Sequence, residues 1–234
     1  QQLNEEKNKY IGIAAHDLRN PLVNIYSLSG MVLDKRSHET LTDTQFELIA
    51  LIHKISLNSL SLLDNLLDVS QIEAGTLRIV KKQEDYISFV KEVVRLNRFM
   101  AEKKEQQISL SIELEELNLS FDPTYIRQVL NNLLTNAMKF SYPYTEVVVK
   151  LSIEDGFVKT EVIDQGMGIR EQDKDKIFHP FEKAQNVPTG GERSSGLGLA
   201  IVRKIVEAHQ GKIAFSSAYG QGSNFFFTLP LDNS

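Results

Sequence analysis

Four groups of residues in this chain have the types and spacing to do chemistry. The first surrounds His16, in Ala15-His16-Asp17-Leu18-Arg19-Asn20-Pro21-Leu22, within a helical repeat of apolar residues. Residues four apart on an α-helix share a face, so His16 and Asn20 stand one above the other. Asp17 lies about 100° further round, within reach of the imidazole. A carboxylate bonded to one ring nitrogen fixes the tautomer and makes the other nitrogen a better nucleophile. A histidine beside an acid is also an ordinary solvated pair, so the rest of the chain has to decide between the two. Pro21 offers no N–H to the Asp17 carbonyl, which predicts a kink within a turn of His16.

The other three groups lie downstream. Asn132, Asn136 and Lys139, spaced four and three, share one helix face, whereas Ile126, Val129, Leu130, Leu133 and Ala137 share another. Amide oxygens are hard ligands of the kind Mg²⁺ accepts, and an ammonium neutralises phosphate. Asp164 ends an apolar run and precedes Gln165-Gly166-Met167-Gly168. Glycines there let the backbone approach a planar ligand, and the carboxylate can accept a hydrogen bond from an exocyclic amine such as that of adenine. Finally, Ser194-Ser195-Gly196-Leu197-Gly198-Leu199-Ala200 runs straight into a helical pattern. Its first N–H groups have no partner within the helix and suit a phosphate chain. Each segment alone is weak evidence; the three in this order match a nucleotide site.

These groups need a scaffold. Apolar periodicity predicts one long helix over residues 3–36 and a second over 42–73, with Gly75 as a stop. Such a hairpin is too small to bury both apolar stripes, so two copies are expected to form a four-helix bundle. The texture then changes, which sets the boundary between a helical domain (1–76) and a second domain (77–234). In the second, strands are expected at 77–80, 107–114, 146–153, 157–163, 212–217 and 225–229. Helices are expected at 86–104, 122–140, 171–177 and 197–209. Asp122 and Pro123 are good start signals for the helix that carries the two asparagines. The fold class is α+β, a helical hairpin followed by helices packed on one mainly antiparallel sheet.

Bulk properties narrow the functions. The chain has 234 residues, 41% of them hydrophobic and 24% charged, with a net charge of −5. No dense basic stripe exists, which argues against nucleic acid. The absence of cysteine removes disulfides and thiolate chemistry and fits a reducing, cytoplasmic setting. No unbroken run of 18 apolar residues is present, so membrane contact is not expected. The chain starts in mid-helix without a start signal, so an upstream part is expected before Gln1.

Taken together, the motifs resemble the two-domain core of sensor histidine kinases. AHDLRNPL resembles the phosphoacceptor box and NNLLTNAMKF the asparagine box. DQGMG resembles the first glycine box, IFHPFEKA the phenylalanine box, SSGLGLA the second glycine box, and GQGSNFFFTLP the closing strand pair. The resemblance implies a homodimeric helical bundle and an ATP-binding sandwich of the gyrase, Hsp90 and MutL type. It implies that His16 is phosphorylated, that Asp17 polarises it, and that Asn20 orients water for dephosphorylation of the partner. Asn136 would hold Mg²⁺, Lys139 would contact phosphate, and Asp164 would bind the adenine amine. Asn132, Phe140, Gly166, Gly168, Gly196, Leu197, Gly198 and Leu199 would complete the pocket. The implied partner is a response-regulator receiver domain, and the missing upstream part would be a sensor, which allows the chain to be the intracellular part of a membrane receptor.

The chain departs from the family pattern in places. Asp17 replaces the commoner Glu and Asn20 the commoner Thr. Lys183 stands where many relatives carry an arginine on the γ-phosphate, and lysine cannot offer a bidentate fork; Arg193 is a candidate substitute. Two other readings remain: a signalling scaffold or phosphatase with a vestigial ATP site, and an ATPase clamp without a histidine acceptor. Among the other histidines, His38 falls between the first two helices, His53 reads as packing or surface, and His179 lies in the phenylalanine box. His209 sits at a helix C-terminus, where positive charge on the ring is favoured. Phe178 and Phe181 are expected to anchor the lid formed by residues 185–193.

Overall fold

The computed structural model describes residues 2–33, 41–73, 77–180, 182, 189 and 196–231. The chain divides into two compact units, Gln1–Leu77 and Arg78–Ser234.

The first unit is a helical hairpin, α1 (Gln2–Leu33) and α2 (Asp43–Glu73). α1 continues through Pro21. α2 starts on a reciprocal cap: Thr42 Oγ1 accepts from the Gln45 N–H at 3.3 Å while Gln45 Oε1 accepts from the Thr42 N–H at 2.9 Å. Cross-contacts hold the hairpin, among them an Arg19–Asp64 ion pair and the Tyr26 and His53 rings stacked 4.2 Å apart. His53 is therefore a packing residue, with Nδ1 3.1 Å from both the Tyr26 carbonyl and Ser29 Oγ. The pairing leaves Leu18, Ile25, Leu28 and Met31 of α1 and Leu48, Leu51, Ile52 and Ile55 of α2 exposed. By length and composition, Asp43–Asp64 would suffice to cross a membrane. Glu47, His53 and Lys54 interrupt this stretch, so it is not an unbroken apolar run.

The second unit packs three helices on one face of a five-stranded sheet. Its elements are β1 (Lys82–Asp85), α3 (Tyr86–Glu102), β2 (Gln107–Ile112), β3 (Asn118–Phe121), α4 (Pro123–Phe140), β4 (Glu146–Glu154), β5 (Phe157–Asp164), α5 (Gly198–Ala208), β6 (Ile213–Ser217) and β7 (Ser223–Pro230). The large sheet has the order β2-β4-β5-β7-β6. Only β2–β4 is parallel, because a crossover containing α4 joins these strands, so the sheet is mainly antiparallel as expected. Strand alternation puts Val147, Val149, Leu151, Val158, Val162, Phe227 and Leu229 under the helices, where Ile126, Leu130, Leu133, Ile201 and Ile205 meet them. Tyr86 and Phe89 close the core against Phe121, and the buried Tyr86 hydroxyl lies 2.8 Å from Thr160 Oγ1.

Three local expectations change. The strand expected at 77–80 is absent: pairing begins at Lys82, with β3, which periodicity did not reveal. The Val80 N–H goes to a side chain, Asp122 Oδ2 at 2.8 Å, rather than to a neighbouring strand. The helix expected at 171–177 is a single 3₁₀ turn, Glu171–Asp173.

Candidate functional site

α4 begins where the sequence marks it. Asp122 caps the helix by accepting from the Thr124 and Tyr125 N–H groups, and Pro123 takes the first helical position. Burying Ile126, Val129, Leu130, Leu133 and Ala137 leaves Asn132, Asn136 and Lys139 half-buried on another face. Asn132 Nδ2 donates to the Gln128 carbonyl at 3.0 Å, which leaves its oxygen facing the start of α5. Among the described residues, the Asn136 amide has no hydrogen-bond partner. Lys139 Nζ lies 5.9 Å from the centre of the Phe140 ring. Two residues that pattern reasoning did not single out satisfy the carbonyls at the helix end. Gln106 Nε2 donates to Met138, Ser141 and Tyr142, and Thr189 Oγ1 donates to Lys139 and Ser141.

Asp164 ends β5, buried beside that helix end. Its Oδ1 accepts from the Gly166 N–H at 2.9 Å and the Ser223 N–H at 3.2 Å. Among the described residues, Oδ2 makes no hydrogen bond, so it is the oxygen left for a ligand. Burial pushes the carboxyl up to about 6, against the downward pull of those two N–H groups. The turn that follows crosses close under α4: a Cβ at Gly166 would lie 2.5 Å from the Phe140 carbonyl oxygen, and one at Gly168 2.1 Å from that of Ala218. Ser223 is a further residue that holds the carboxylate; its sequence signal was the Gly220-x-Gly222 turn that brings β7 alongside.

α5 starts with no side-chain cap. Gly196 has φ +77°, Leu197 is buried, and Gly198 and Leu199 are half-buried. The first N–H groups of a helix have no partner within it and, with the positive end of the helix dipole, suit a polyanion. Gly198 lies against α4, since a Cβ there would be 2.7 Å from Asn132 Oδ1. Folding thus brings the amide face of α4, the Asp164 turn and the start of α5 together.

Residues 6–75 match the family model of the His Kinase A (phospho-acceptor) domain, and residues 121–233 match that of the histidine kinase-, DNA gyrase B- and HSP90-like ATPase. The chain belongs to the histidine kinases. This kinase core is 32% identical over 232 residues to the circadian input-output histidine kinase CikA of Synechococcus elongatus, covering 98% of the chain and 31% of that protein. It is also 32% identical over 229 residues to the autoinducer 2 sensor kinase/phosphatase LuxQ of Vibrio cholerae, covering 96% of the chain and 26% of that protein. The chain therefore spans a third or less of the length of these two relatives. Among solved structures, full-length ShkA in complex with AMPPNP superposes with a TM-score of 0.79 at 25% identity, covering 97% of this chain and 46% of that one. The catalytic domain of the histidine kinase ThkA gives 0.57 at 30% identity, over 65% of this chain and 96% of that one.

In the helical unit of the kinase, Asp17 and Asn20 are exposed on α1. The His16 side chain lies outside the described residues, as do Lys183 and Arg193 and the expected lid positions Phe181, Gly190 and Gly191. His38 lies outside them too. Phe178 packs edge-on against Phe215 of β6 at 5.9 Å. His179 is exposed, with Nδ1 3.5 Å from Glu182 Oε1. His209 corrects the expectation of a positive ring at a helix end. It is buried, its Nδ1 lies 2.8 Å from the Ile205 carbonyl oxygen, and its Nε2 accepts the Asp122 N–H at 3.1 Å. Burial lowers its pKa and keeps the ring neutral.

The close approach of Gly198 to Asn132 makes a direct prediction. Gly198→Ala must displace either the Asn132 amide or the first turn of α5, an overpacking cost of about 1–3 kcal/mol. The variant is expected to fold, with nucleotide affinity down about tenfold by calorimetry. Wild-type affinity would mean that the contact does not shape the pocket.

Proposed function

We propose that this kinase uses ATP to phosphorylate His16 and passes the phosphoryl group to an aspartate of a response-regulator receiver domain. The observation that carries the ATP reading is the buried Asp164 carboxylate, with Oδ1 committed to the protein and Oδ2 left for a donor such as the adenine amine. Around it, Asn132, Phe140, Gly166 and Gly168 line the base and sugar side, and Lys139 neutralises phosphate. Gly196 and Leu197, which lead into α5, and Gly198 and Leu199, which begin it, hold the triphosphate. Lys183 and Arg193 contact its outer end.

In the transfer step a ring nitrogen of His16 forms a bond to the γ-phosphorus as the bond to the bridging oxygen breaks and ADP leaves. Asp17 accepts a hydrogen bond from the other ring N–H, which keeps its proton, and stabilises the charge that develops on the imidazole. Positioning and charge neutralisation supply most of the rate. The donor set also fits Mg²⁺, because the Asn136 amide oxygen is a hard ligand without a competing partner among the described residues. Mg²⁺ usually takes one or two protein ligands and completes its shell with phosphate oxygens and water; bound there, it would supply charge neutralisation.

The exposed leucines, isoleucines and methionine of the hairpin support a homodimer in which two copies form a four-helix bundle. This reading places the fragment in the cytoplasm, where ATP is available, without contact to nucleic acid or membrane, and downstream of a sensor region. Incubating the chain with γ-labelled ATP and Mg²⁺ tests the activity: an acid-labile, base-stable phosphoprotein is expected, and no label would overturn the kinase reading. Asn20, one turn beyond His16, orients water for hydrolysis of the phosphorylated receiver. Asn20→Ala is expected to leave autophosphorylation within about twofold while slowing receiver dephosphorylation about tenfold or more. An unaltered phosphatase rate would remove Asn20 from that step.

A further inference from the structure

Asp122 caps α4, but capping uses only one of its oxygens. Oδ1 accepts from the Thr124 and Tyr125 N–H groups, while Oδ2 accepts the Val80 N–H at 2.8 Å. Val80 is the third residue of the second unit, in the segment by which the chain enters it. The backbone N–H of Asp122 makes a further bond, to Nε2 of buried His209 just past α5. His209 anchors its other nitrogen on the Ile205 carbonyl of the last turn.

One residue therefore joins the entering segment, the helix that carries Asn132, Asn136 and Lys139, and the helix that starts at Gly198. α4 and α5 run antiparallel, with Asp122 bonded to His209 at one end and Asn132, midway along α4, lying against Gly198 at the start of α5. Asp122 and His209 are buried and Asn132 and Gly198 half-buried, while the Val80 bond is partly buried although its side chain is exposed. Breaking a bond at Asp122 or His209 strands a buried polar group, which is unfavourable. A displacement of residues 78–81 must then shift the α4–α5 frame or pay that cost.

We propose that Asp122, held by His209, is a positioning residue that couples the segment entering the ATP-binding unit to the geometry of the nucleotide site. The coupling rests on the kinase reading above, and it has a consequence that binding alone can detect. Coupling between two sites is reciprocal, so nucleotide bound at the α4–α5 frame must alter the Val80 amide.

Asp122→Asn separates this role from capping. Asparagine caps as well as aspartate through Oδ1, but its NH₂ group takes the place of Oδ2 and cannot accept from Val80. In the wild-type chain, saturating AMPPNP with Mg²⁺ is expected to slow hydrogen exchange at the Val80 amide about threefold, the largest factor by which loss of the bond can then weaken nucleotide binding. Asp122→Asn should remain folded, keep nucleotide affinity within about threefold, and lose that response. In autophosphorylation it should lower kcat at least about fivefold with KM within about threefold. Val80→Pro, which deletes the donor instead of the acceptor, should reproduce the same split.

A Val80 amide indifferent to nucleotide in the wild type would overturn the coupling. So would a response that survives Asp122→Asn, or kcat and KM that move together, as a merely structural role predicts. A wild-type chain that takes up no label yet binds nucleotide and slows Val80 exchange would overturn the kinase reading and support the coupling. A chain that binds no nucleotide by calorimetry would overturn both.

Discussion

At neutral pH, Asp164→Asn is expected to stabilise the second unit and, at the same time, to remove its affinity for nucleotide. The folded carboxyl titrates near 6, against 3.8 for the ordinary group, because burial disfavours its charged form. Between those values the folded state holds a proton that the unfolded chain has released. This group's contribution to stability is therefore greatest below about pH 4, falls as pH rises to about 6, and stays low above it, a difference of about 3 kcal/mol. Asparagine removes that penalty and can still accept from the Gly166 and Ser223 N–H groups through Oδ1. Its NH₂ group must then occupy the place of Oδ2, where it meets the adenine amine donor to donor. Scanning calorimetry at pH 7.5 should show a raised Tm for the variant, with the gain gone at pH 4. Titration calorimetry should show nucleotide affinity down about 100-fold or more, the loss of a charge-assisted hydrogen bond with an unmatched donor left behind. Wild-type affinity should itself weaken as pH falls through about 6, when Oδ2 gains a proton. Unchanged binding by the variant would remove Asp164 from the site, and an unchanged Tm would mean that the carboxylate is solvated after all.

His16→Ala is expected to abolish incorporation of label from γ-labelled ATP while leaving nucleotide affinity within about twofold. The first half follows from chemistry: no other side chain of the acceptor segment offers a nitrogen nucleophile beside a carboxylate, and removal of a nucleophile costs about a thousandfold or more. The second half follows from organisation, since His16 belongs to the helical unit and every group assigned to the nucleotide belongs to the other. The wild-type product should be labile to acid and stable to base, as expected of a phosphorus–nitrogen bond. Label that persists in the variant would place the acceptor elsewhere, and loss of nucleotide binding would mean that the helical unit contributes to the pocket.

Much of the fold is legible in the sequence for identifiable reasons. α4 has a cap, a proline at the first helical position and a clean apolar face, so its limits and its asparagine face follow from pattern alone. The Thr42–Gln45 box marks the start of α2 in the same way. Patterning failed where the partner of a backbone group is distant in sequence. Residues 77–80 have the composition of a strand, but the Val80 N–H is taken by Asp122, 42 residues away. β1 is polar throughout and β3 alternates over only four residues, so their pairing is decided by contact and not by periodicity. His209 was read from its place at a helix end, where the dipole favours charge; burial outweighs the dipole and keeps the ring neutral.

From residue types and order alone came the chemistry: a histidine and acid on one helix, two amides and an ammonium on another, an aspartate before a glycine turn, and a glycine-led helix start. Spacing suffices there because helical and turn geometry are local. Only the tertiary structure decided what each group is free to do. It committed Asp164 Oδ1 to Gly166 and Ser223 and left Oδ2 open, it pressed Gly198 against Asn132, and it made Asp122 a junction of two helices and the entering chain. Those assignments depend on which buried donors and acceptors meet across the core, and no repeat in the sequence encodes such meetings, because each is set by packing between elements far apart in the chain.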